Sequence, residues 1–353
     1  MLLASKAINT EKGHAGHFSE DGLTYYTGTA IRAVDLDDPS DPKFITNAFA
    51  SATHDISTNA AGTRAYQTIL GATAGSTNGL TILDVSEIQY RQPNPQVNIV
   101  STLFWPDGAG AQMTQPITIG GKPYLVFVDE GISGANKQNF CSMGLPPFSV
   151  ARLIDISDEL NPFVVGKLKL ETHDPANCDA TINDDQGVFQ YDAHYCTASD
   201  GVHNSGTYTV QNVQLVACSY FESGIRVFDV RDPYKPKEIA YYNPPARPGY
   251  QAGSNFNNNG TCQTADWASA HPRIRVDRNE IWFTSQCNGF QIVKFEKPLA
   301  ELLDPAPKGW FSVLRRGGAP AAHRTARAAH APRAWPEGCV TSARRTRRSR
   351  DPA

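Results

Sequence analysis

Hydrophobic and polar residues alternate along most of the chain, in short runs separated by turn-forming residues. In SYFESGIRVFDVRDPYKPKEIAYYNP, residues 219–244, the pattern indicates a strand, a break, a second strand, a proline-containing turn and a third strand. Alternation with a period of two is typical of strands, and Asp, Gly and Pro favour turns. The 28 glycines and 24 prolines extend this turn-rich usage to the whole chain. The pattern predicts an all-β protein of many short strands.

The end of this phrase recurs along the chain. Aligned on its aspartate, the copies are AVDLDDPSDPKFI, ILDVSEI, LIDISDELNPFVV and VFDVRDPYKPKEI, with a weaker fifth copy, IVKFEKP, at Lys294. An aspartate side chain accepts hydrogen bonds from backbone N–H groups two residues on, and proline cannot continue a central strand. The motif therefore predicts a turn after a strand. The residues assigned to this structural role are Asp35, Asp38, Asp84, Asp155, Asp158, Asp229 and Asp232.

A second repeated element precedes each copy and runs from a polar residue through a turn into another strand. Together the two elements make a unit of four antiparallel strands. A four-stranded unit of at least about 40 residues that recurs along a chain is typical of β-propeller blades. We therefore predict a β-propeller with five recognisable blades, either a complete ring or part of a larger one. Insertions at 131–150, 171–192 and 245–270 lengthen loops, which commonly carry the specificity of such proteins.

Charge is distributed unevenly along the chain. The net charge is −3, but residues 315–353 contain ten arginines and only two acidic residues, which leaves an acidic body of about −11. An acidic body argues against a nucleic-acid partner, and no stretch approaches the 18 apolar residues of a membrane span. We expect an unknown protein or a small molecule to bind at the loop face.

The two ends differ from the repeated region. We predict that residues 14–307 form the propeller and that 308–353 form a basic low-complexity tail without a fixed structure. This tail is either an arm for an anionic partner or a translation artefact. Residues 1–13 are an orphan outer strand or the remnant of a lost blade, unless Leu2–Ile8 completes the fifth blade. The opening MLLASKAINT lacks the pattern of a secretory signal.

The repeated motif resembles that of the LVIVD-repeat proteins, which are bacterial and archaeal propellers. The resemblance covers residues 14–298 and is most specific at GLTILDVSEI, ARLIDISDELNP and GIRVFDVRDPYKPKEIAYY. It implies a propeller fold, an extracytoplasmic or secreted location for the full-length protein, and a chain that has lost N-terminal blades. It implies no reaction, because members of the group mostly lack an assigned activity.

Six cysteines lie in the repeated region, a number that suits disulfides in an oxidising compartment. Cys196 and Cys218 lie on the first two strands of the fourth unit, so they are expected to face each other across a hairpin. Cys262 and Cys287 flank the equivalent strands of the fifth unit. This choice, one of fifteen connectivities, leaves a third pair in loops around the third blade, Cys141 and Cys178.

Histidines are the sharpest candidates for chemistry. One opens the first strand of four of the five units, and in a propeller these strands line the central channel. Imidazoles that converge from several blades can bind a transition metal, whereas the alternative is that each histidine only satisfies neighbouring backbone groups. Gln115 takes the equivalent place in the third unit, and Asp192 is placed to orient a histidine two residues on. The candidate ligands are His17, His54, His194 and His271.

Two further features are candidates for ligand binding. The segment HDPANCDATINDDQG offers carboxylates to calcium, although its spacing differs from that of known calcium loops and a solvated acidic loop is the alternative. Its aspartates are Asp174, Asp179, Asp184 and Asp185. Trp105 and Trp267 fall in predicted loops and are candidate ligand platforms, with packing as the alternative.

Hydrolase and nucleotide-binding motifs are absent from the sequence. The sequence features are therefore consistent with two functions. The first is an extracytoplasmic binding or scaffold module, and the second is a metal-dependent oxidoreductase with a histidine-lined channel.

Overall fold

A computed structural model describes residues 15–71, 78–131, 135–182, 191–206, 209–249, 262, 265–303 and 312–316. These residues form twenty strands and four short α-helices. The strands form five antiparallel four-stranded sheets, each taken in chain order from the inner to the outer strand. The prediction of an all-β propeller of four-stranded blades is confirmed.

The elements have the following bounds. The first sheet contains β1 (Gly16–Phe18), β2 (Thr24–Thr27), β3 (Thr29–Asp35) and β4 (Lys43–Thr53). The second contains β5 (Ile56–Thr58), β6 (Arg64–Ile69), β7 (Gly79–Asp84) and β8 (Asn98–Phe104). The third contains β9 (Ala111–Ile119), β10 (Lys122–Asp129), β11 (Ala151–Asp155) and β12 (Phe163–Leu168).

The remaining two sheets follow the same order. The fourth contains β13 (Cys196–Ser199), β14 (Leu215–Ser219), β15 (Ile225–Asp229) and β16 (Lys237–Tyr242). The fifth contains β17 (Arg273–Arg275), β18 (Glu280–Ser285), β19 (Gly289–Phe295) and β20 (Ser312–Arg316). The helices are α1 (Ser86–Gln89), α2 (Ala135–Ser142), α3 (Cys178–Ile182) and α4 (Leu299–Leu303).

The core lies between successive sheets. Tyr26 and Ala33 of the first sheet pack against Ile56, Ala65 and Leu83 of the second, and three further apolar clusters join the second sheet to the third, the third to the fourth and the fourth to the fifth. The inner strands β1, β5, β9, β13 and β17 lie beside one another in that order. Face-to-face packing of sheets around adjacent inner strands is the architecture of a propeller.

The turn aspartates act as the sequence predicts. Asp35 and Asp229 each accept a hydrogen bond from the backbone N–H two residues on, at 3.1 and 3.0 Å, and the other five do the same. In each of the first four blades the pairing of the third and fourth strands shifts just before the first aspartate, as between Val227 and Phe228. Such a bulge bends the outer strand and increases its twist.

The outer strand of the fifth blade is a correction to the sequence interpretation. Ser312–Arg316 lies inside the predicted tail, yet β20 pairs with β19 in antiparallel orientation and with β16 in parallel orientation. The sequence does not reveal this strand because only Val313 and Leu314 are apolar in it and basic low-complexity sequence follows. Residues 1–14 and 317–353 lie outside the described residues, so the expectations for Leu2–Ile8 and for the remaining tail stay predictions.

All three predicted disulfides are confirmed. Cys196 and Cys218 are paired residues of β13 and β14 with their Cα atoms 4.0 Å apart. The Cys262–Cys287 and Cys141–Cys178 bridges each join Cα atoms 5.9 Å apart. The Cys141–Cys178 bridge therefore joins two inserted loops to each other, and the Cys262–Cys287 bridge joins the third inserted loop to the fifth blade.

Replacing Cys196 and Cys218 together by alanine is expected to lower the free energy of unfolding by about 3 kcal/mol. The bridge closes a loop with a sequence separation of 22, and cross-links of this size restrict the unfolded chain by about that much. Urea unfolding of the oxidised proteins measures the difference, which should vanish under reducing conditions. Equal stability of the two oxidised proteins would contradict the prediction.

Candidate ligand site at the channel mouth

The long loops and the starts of the inner strands share one end of the propeller, here called the channel mouth. Because the strands are antiparallel, the β10–β11, β12–β13 and β16–β17 connections lie at the end where β9, β13 and β17 begin. These connections contain the insertions at 131–150, 171–192 and 245–270, of which the first two are joined by a disulfide. The mouth is therefore the loop-rich face that the sequence favours for binding.

The four histidines do not occupy equivalent positions. In each sheet the turn aspartate, or Lys294 in the fifth, lies opposite one residue of the second strand and, through it, one residue of the inner strand. Levels along the channel are counted from that inner-strand residue. On this count His54 and His194 lie at the same level. In the third blade Gln112, and not Gln115, lies at that level. His271 is one residue further along its strand, and His17 is three residues further. Only His54 and His194 are therefore equivalent, because His17 and His271 lie closer to the first turn of their blades.

The histidines at the mouth contact neighbouring blades. His54 Nδ1 lies 3.0 Å from the carbonyl oxygen of Gln112, and His271 Nδ1 lies 3.3 Å from that of Cys196. His194 Nε2 lies 3.3 Å from Glu130 Oε1, at the end of β10. Three successive blade boundaries are therefore bridged by an imidazole.

Five rings form a continuous strip across the mouth. Tyr195 lies between His271 and His194, with both ring centroids 4.2 Å from its own. His194 stacks on Phe221 at 4.7 Å, and Phe221 meets the edge of Trp267 at 5.0 Å. Phe221 adopts a φ of 32°, a conformation that costs a non-glycine residue energy and that is found preferentially at functional sites. Trp267 belongs to this aromatic strip but is buried, as is Trp105 in the core, so neither tryptophan is an exposed platform for a ligand.

Two carboxyl groups lie beside the aromatic strip. Burial raises the pKa of Asp55, just before β5, to about 7, although its hydrogen bond with the Ile56 N–H opposes the shift. Burial also raises the pKa of Glu130 to about 7. Burial, followed by the charges of Asp55 and Glu130, raises the pKa of Tyr195 to about 12. Near pH 7 the two carboxyl groups are therefore divided between protonated and ionised forms.

Asp192 and Gln115 have other roles than those predicted. Asp192 accepts a hydrogen bond from the Ser149 N–H, and burial raises its pKa well above the usual range although Lys137 opposes the shift. It thereby anchors the 131–150 insertion, while Glu130 is the carboxylate at His194. Gln115 lies deeper in β9 and accepts a hydrogen bond from the Ala198 N–H, which joins the third blade to the fourth.

Metal coordination finds no support in the described part of the chain, which contains no group of three His, Cys, Asp or Glu side chains suited to an ion. Burial lowers the pKa of His17 and of His271 to about 4, so both rings are neutral at physiological pH. Of the calcium candidates, Asp174 caps a short 3₁₀-helix by accepting a hydrogen bond from the Ala176 N–H. Asp184 and Asp185 lie outside the described residues.

The opposite end of the channel is covered by the β13–β14 connection, whose described residues, 200–206 and 209–214, are here called the floor loop. Val210 exchanges backbone hydrogen bonds with Pro116 and Thr118 of β9. The Thr209 N–H donates to Glu20 of the first blade at 2.8 Å, and Ser205 exchanges hydrogen bonds with Ile274 of β17. A loop that contacts the first, third and fifth blades lies across this end of the channel.

Sequence reasoning missed Tyr195, Asp55 and Glu130 as members of one site. Each has a neighbour that the sequence makes conspicuous: Tyr195 follows His194, Asp55 follows His54, and Glu130 directly follows the strand β10. Within a strand, adjacent residues such as His54 and Asp55 face opposite sides. In the structure both residues precede β5, so strand alternation does not apply to them.

Comparison with known proteins yields fold-level similarities. No protein-family model and no curated protein matches the chain. A periplasmic gluconolactonase from Pseudomonas aeruginosa is 13% identical, with 87% of this chain and 71% of that chain covered and a TM-score of 0.49. A putative 6-phosphogluconolactonase from Bacteroides fragilis is 12% identical, with 87% and 70% covered and a TM-score of 0.46.

A third similar structure is hydrazine synthase from Kuenenia stuttgartiensis, which is 10% identical over 82% of this chain and 67% of that chain, with a TM-score of 0.44. Such distant similarities carry no functional information about this chain. Among the described residues, no helix is long and apolar enough to cross a bilayer.

Proposed function

We propose that the protein is an extracytoplasmic propeller of the LVIVD-repeat type that binds a small, hydroxyl-rich molecule at the channel mouth. The observation that carries this proposal is the convergence of Asp55, Glu130, His194 and His271, from four different blades, around the ring of Tyr195. An aromatic ring with a few polar groups that converge on it from different elements is typical of small-molecule sites.

The protonation of the carboxyl groups favours hydroxyl groups as their partners. At pKa values of about 7, Asp55 and Glu130 both accept and donate hydrogen bonds near neutral pH, and a hydroxyl group also does both. A cationic ligand would instead favour a site whose carboxylates stay fully ionised. Within the aromatic strip Phe221 and Trp267 are buried, so the partly exposed ring of Tyr195 is the apolar surface offered to the carbon skeleton of such a molecule.

The extracytoplasmic part of the proposal is supported by the disulfides. Three bridges persist in oxidising compartments and are rare in the cytosol. Two of them, Cys141–Cys178 and Cys262–Cys287, link inserted loops at the mouth, so their oxidation would also stabilise the proposed site. The metal-dependent oxidoreductase is the less favoured candidate, because the described histidines contact backbone carbonyls and a carboxylate, not a common centre.

Sorbitol is a suitable probe of the site in isothermal titration calorimetry. The unmodified protein is expected to bind it, and Glu130→Gln is expected to weaken binding about tenfold, because one charge-assisted hydrogen bond is lost. Glu159→Gln is the matched control, since Glu159 pairs with Arg64 at the far end of the third blade. Absence of sorbitol binding, or equal weakening in both variants, would refute a hydroxyl-binding mouth.

A further inference from the structure

One arginine beside the channel, Arg273, has no partner among the residues that the structure describes. Arg273 begins β17, the inner strand of the fifth blade, and its Nη1 is buried without a hydrogen bond. Arg64 and Arg226, by contrast, each contact a carboxylate, at 2.8 and 3.0 Å. Among the described residues no hydrogen bond or ion pair engages the Arg273 guanidinium. A guanidinium stays charged when it is buried, so a position of this kind favours an anion.

The position of Arg273 connects it to the site at the mouth. Its charge contributes, after burial, to the lowered pKa of His271, whose ring packs against Tyr195. The next residue, Ile274, exchanges hydrogen bonds with Ser205 of the floor loop. Arg273 therefore lies between the aromatic strip and the floor loop. Two residues of extended chain separate it from His271, a distance of about 7 Å.

Other polar atoms near this level also lack hydrogen-bond partners in the described part of the chain. Thr197 occupies the position equivalent to Arg273 on the inner strand of the fourth blade, and Thr209 belongs to the floor loop. The Oγ1 atoms of both threonines are buried without a hydrogen bond. Buried polar atoms in proteins are nearly always satisfied, by protein, water or ligand. The lower part of the channel thus offers a cation and hydroxyl groups to the same bound molecule.

We infer that Arg273 is the anion-binding position of this site and that the ligand is a hydroxylated carboxylic acid of about four to six carbons. The inference rests on the proposed function for the hydroxyl-binding end. The planar guanidinium matches a carboxylate in two parallel hydrogen bonds. With the carboxylate at Arg273, a chain that spans the roughly 7 Å to His271 brings its hydroxyl groups to the Tyr195 ring, on whose pKa Asp55 and Glu130 act.

Three probes of matched length test the inference in isothermal titration calorimetry. Gluconate has both a carboxylate and hydroxyl groups, sorbitol has only the hydroxyl groups, and hexanoate has only the carboxylate. The unmodified protein is expected to bind gluconate at least about tenfold more tightly than sorbitol. Arg273→Gln is expected to reduce gluconate affinity to that of sorbitol. Arg275→Gln, on the same strand but paired with Asp277 at 3.0 Å, is expected to retain the difference.

The outcomes separate this inference from the proposed function. Equal binding of gluconate and sorbitol, with both weakened by Glu130→Gln, would overturn the role of Arg273 and leave the hydroxyl site intact. Binding of gluconate and hexanoate but not sorbitol, lost in Arg273→Gln, would support the anion position and refute the hydroxyl site. Equal losses in Arg273→Gln and Arg275→Gln would overturn the inference. The three-probe comparison on the unmodified protein decides the matter even if a variant fails to fold.

Discussion

Replacing Arg152 by methionine is expected to lower the free energy of unfolding by about 3–5 kcal/mol. The Arg152 side chain is fully buried, contacts the equally buried Asp129, and lies 3.1 Å from Asp107. Its guanidinium also lies over the Trp105 ring, 4.3 Å from the centroid. Methionine fills much of the volume but leaves the two carboxylates without this cation. The effect is measured by urea or thermal unfolding.

The repeat provides a matched control for this variant. Arg226 occupies the same position relative to the turn aspartate in the fourth blade, but its partner Glu238 is partly exposed. Arg226→Met is therefore expected to cost no more than about 1 kcal/mol. Adding Asp129→Asn to Arg152→Met should recover part of the loss, because the unpaired buried charge disappears. A double variant no more stable than Arg152→Met would contradict the electrostatic explanation.

Replacing Asp55 by asparagine is expected to stabilise the protein at pH 8 by up to roughly 4 kcal/mol, with little change at pH 4. The pKa of Asp55 is about 7 in the folded protein against an ordinary value of 3.8. Between these values the folded state binds more protons than the unfolded state, so stability falls as the pH rises from about 4 to about 7. Asparagine retains the acceptor for the Ile56 N–H but cannot ionise.

Unfolding curves between pH 4 and pH 8 measure this effect. Asp41→Asn removes a carboxylate that is 59% exposed and serves as the control for the loss of a surface charge. Parallel profiles for the unmodified protein and Asp55→Asn would show that Asp55 ionises freely. If Asp55→Asn is more stable and also binds sorbitol more weakly, the carboxyl group of Asp55 lowers the stability of the protein but contributes to ligand binding.

The local chemistry of the blades could be predicted from the sequence. The Asp-x-x-Asp turn depends on hydrogen bonds between residues two apart, as between Asp155 and Ser157, so its consequences are visible in a single chain segment. The Cys196–Cys218 bridge follows from two strands of one hairpin in the same way. Strand alternation and the recurrence of the turn then indicated five blades.

The site could be predicted only in part, because its members come from different blades. The sequence singled out His194 and His271, but the ring between them, Tyr195, is one of many strand aromatics. The strand pairing within each sheet decided that His54 and Gln112, and not Gln115, lie at the same level as His194. A residue's level in the channel depends on the pairing of its whole sheet.

The sequence by itself therefore determined what depends on neighbours along the chain: the strands, their turns, the repeat and the cysteine pairs of adjacent strands. Only the tertiary structure decided which side chains meet across the channel, that the floor loop covers its far end, and that β20 completes the fifth blade. It also decided which charges are paired, leaving Arg273 without a partner in the described residues. Burial, pKa shifts and unpaired charge arise from residues distant in sequence, and the repeat pattern carries no information about them.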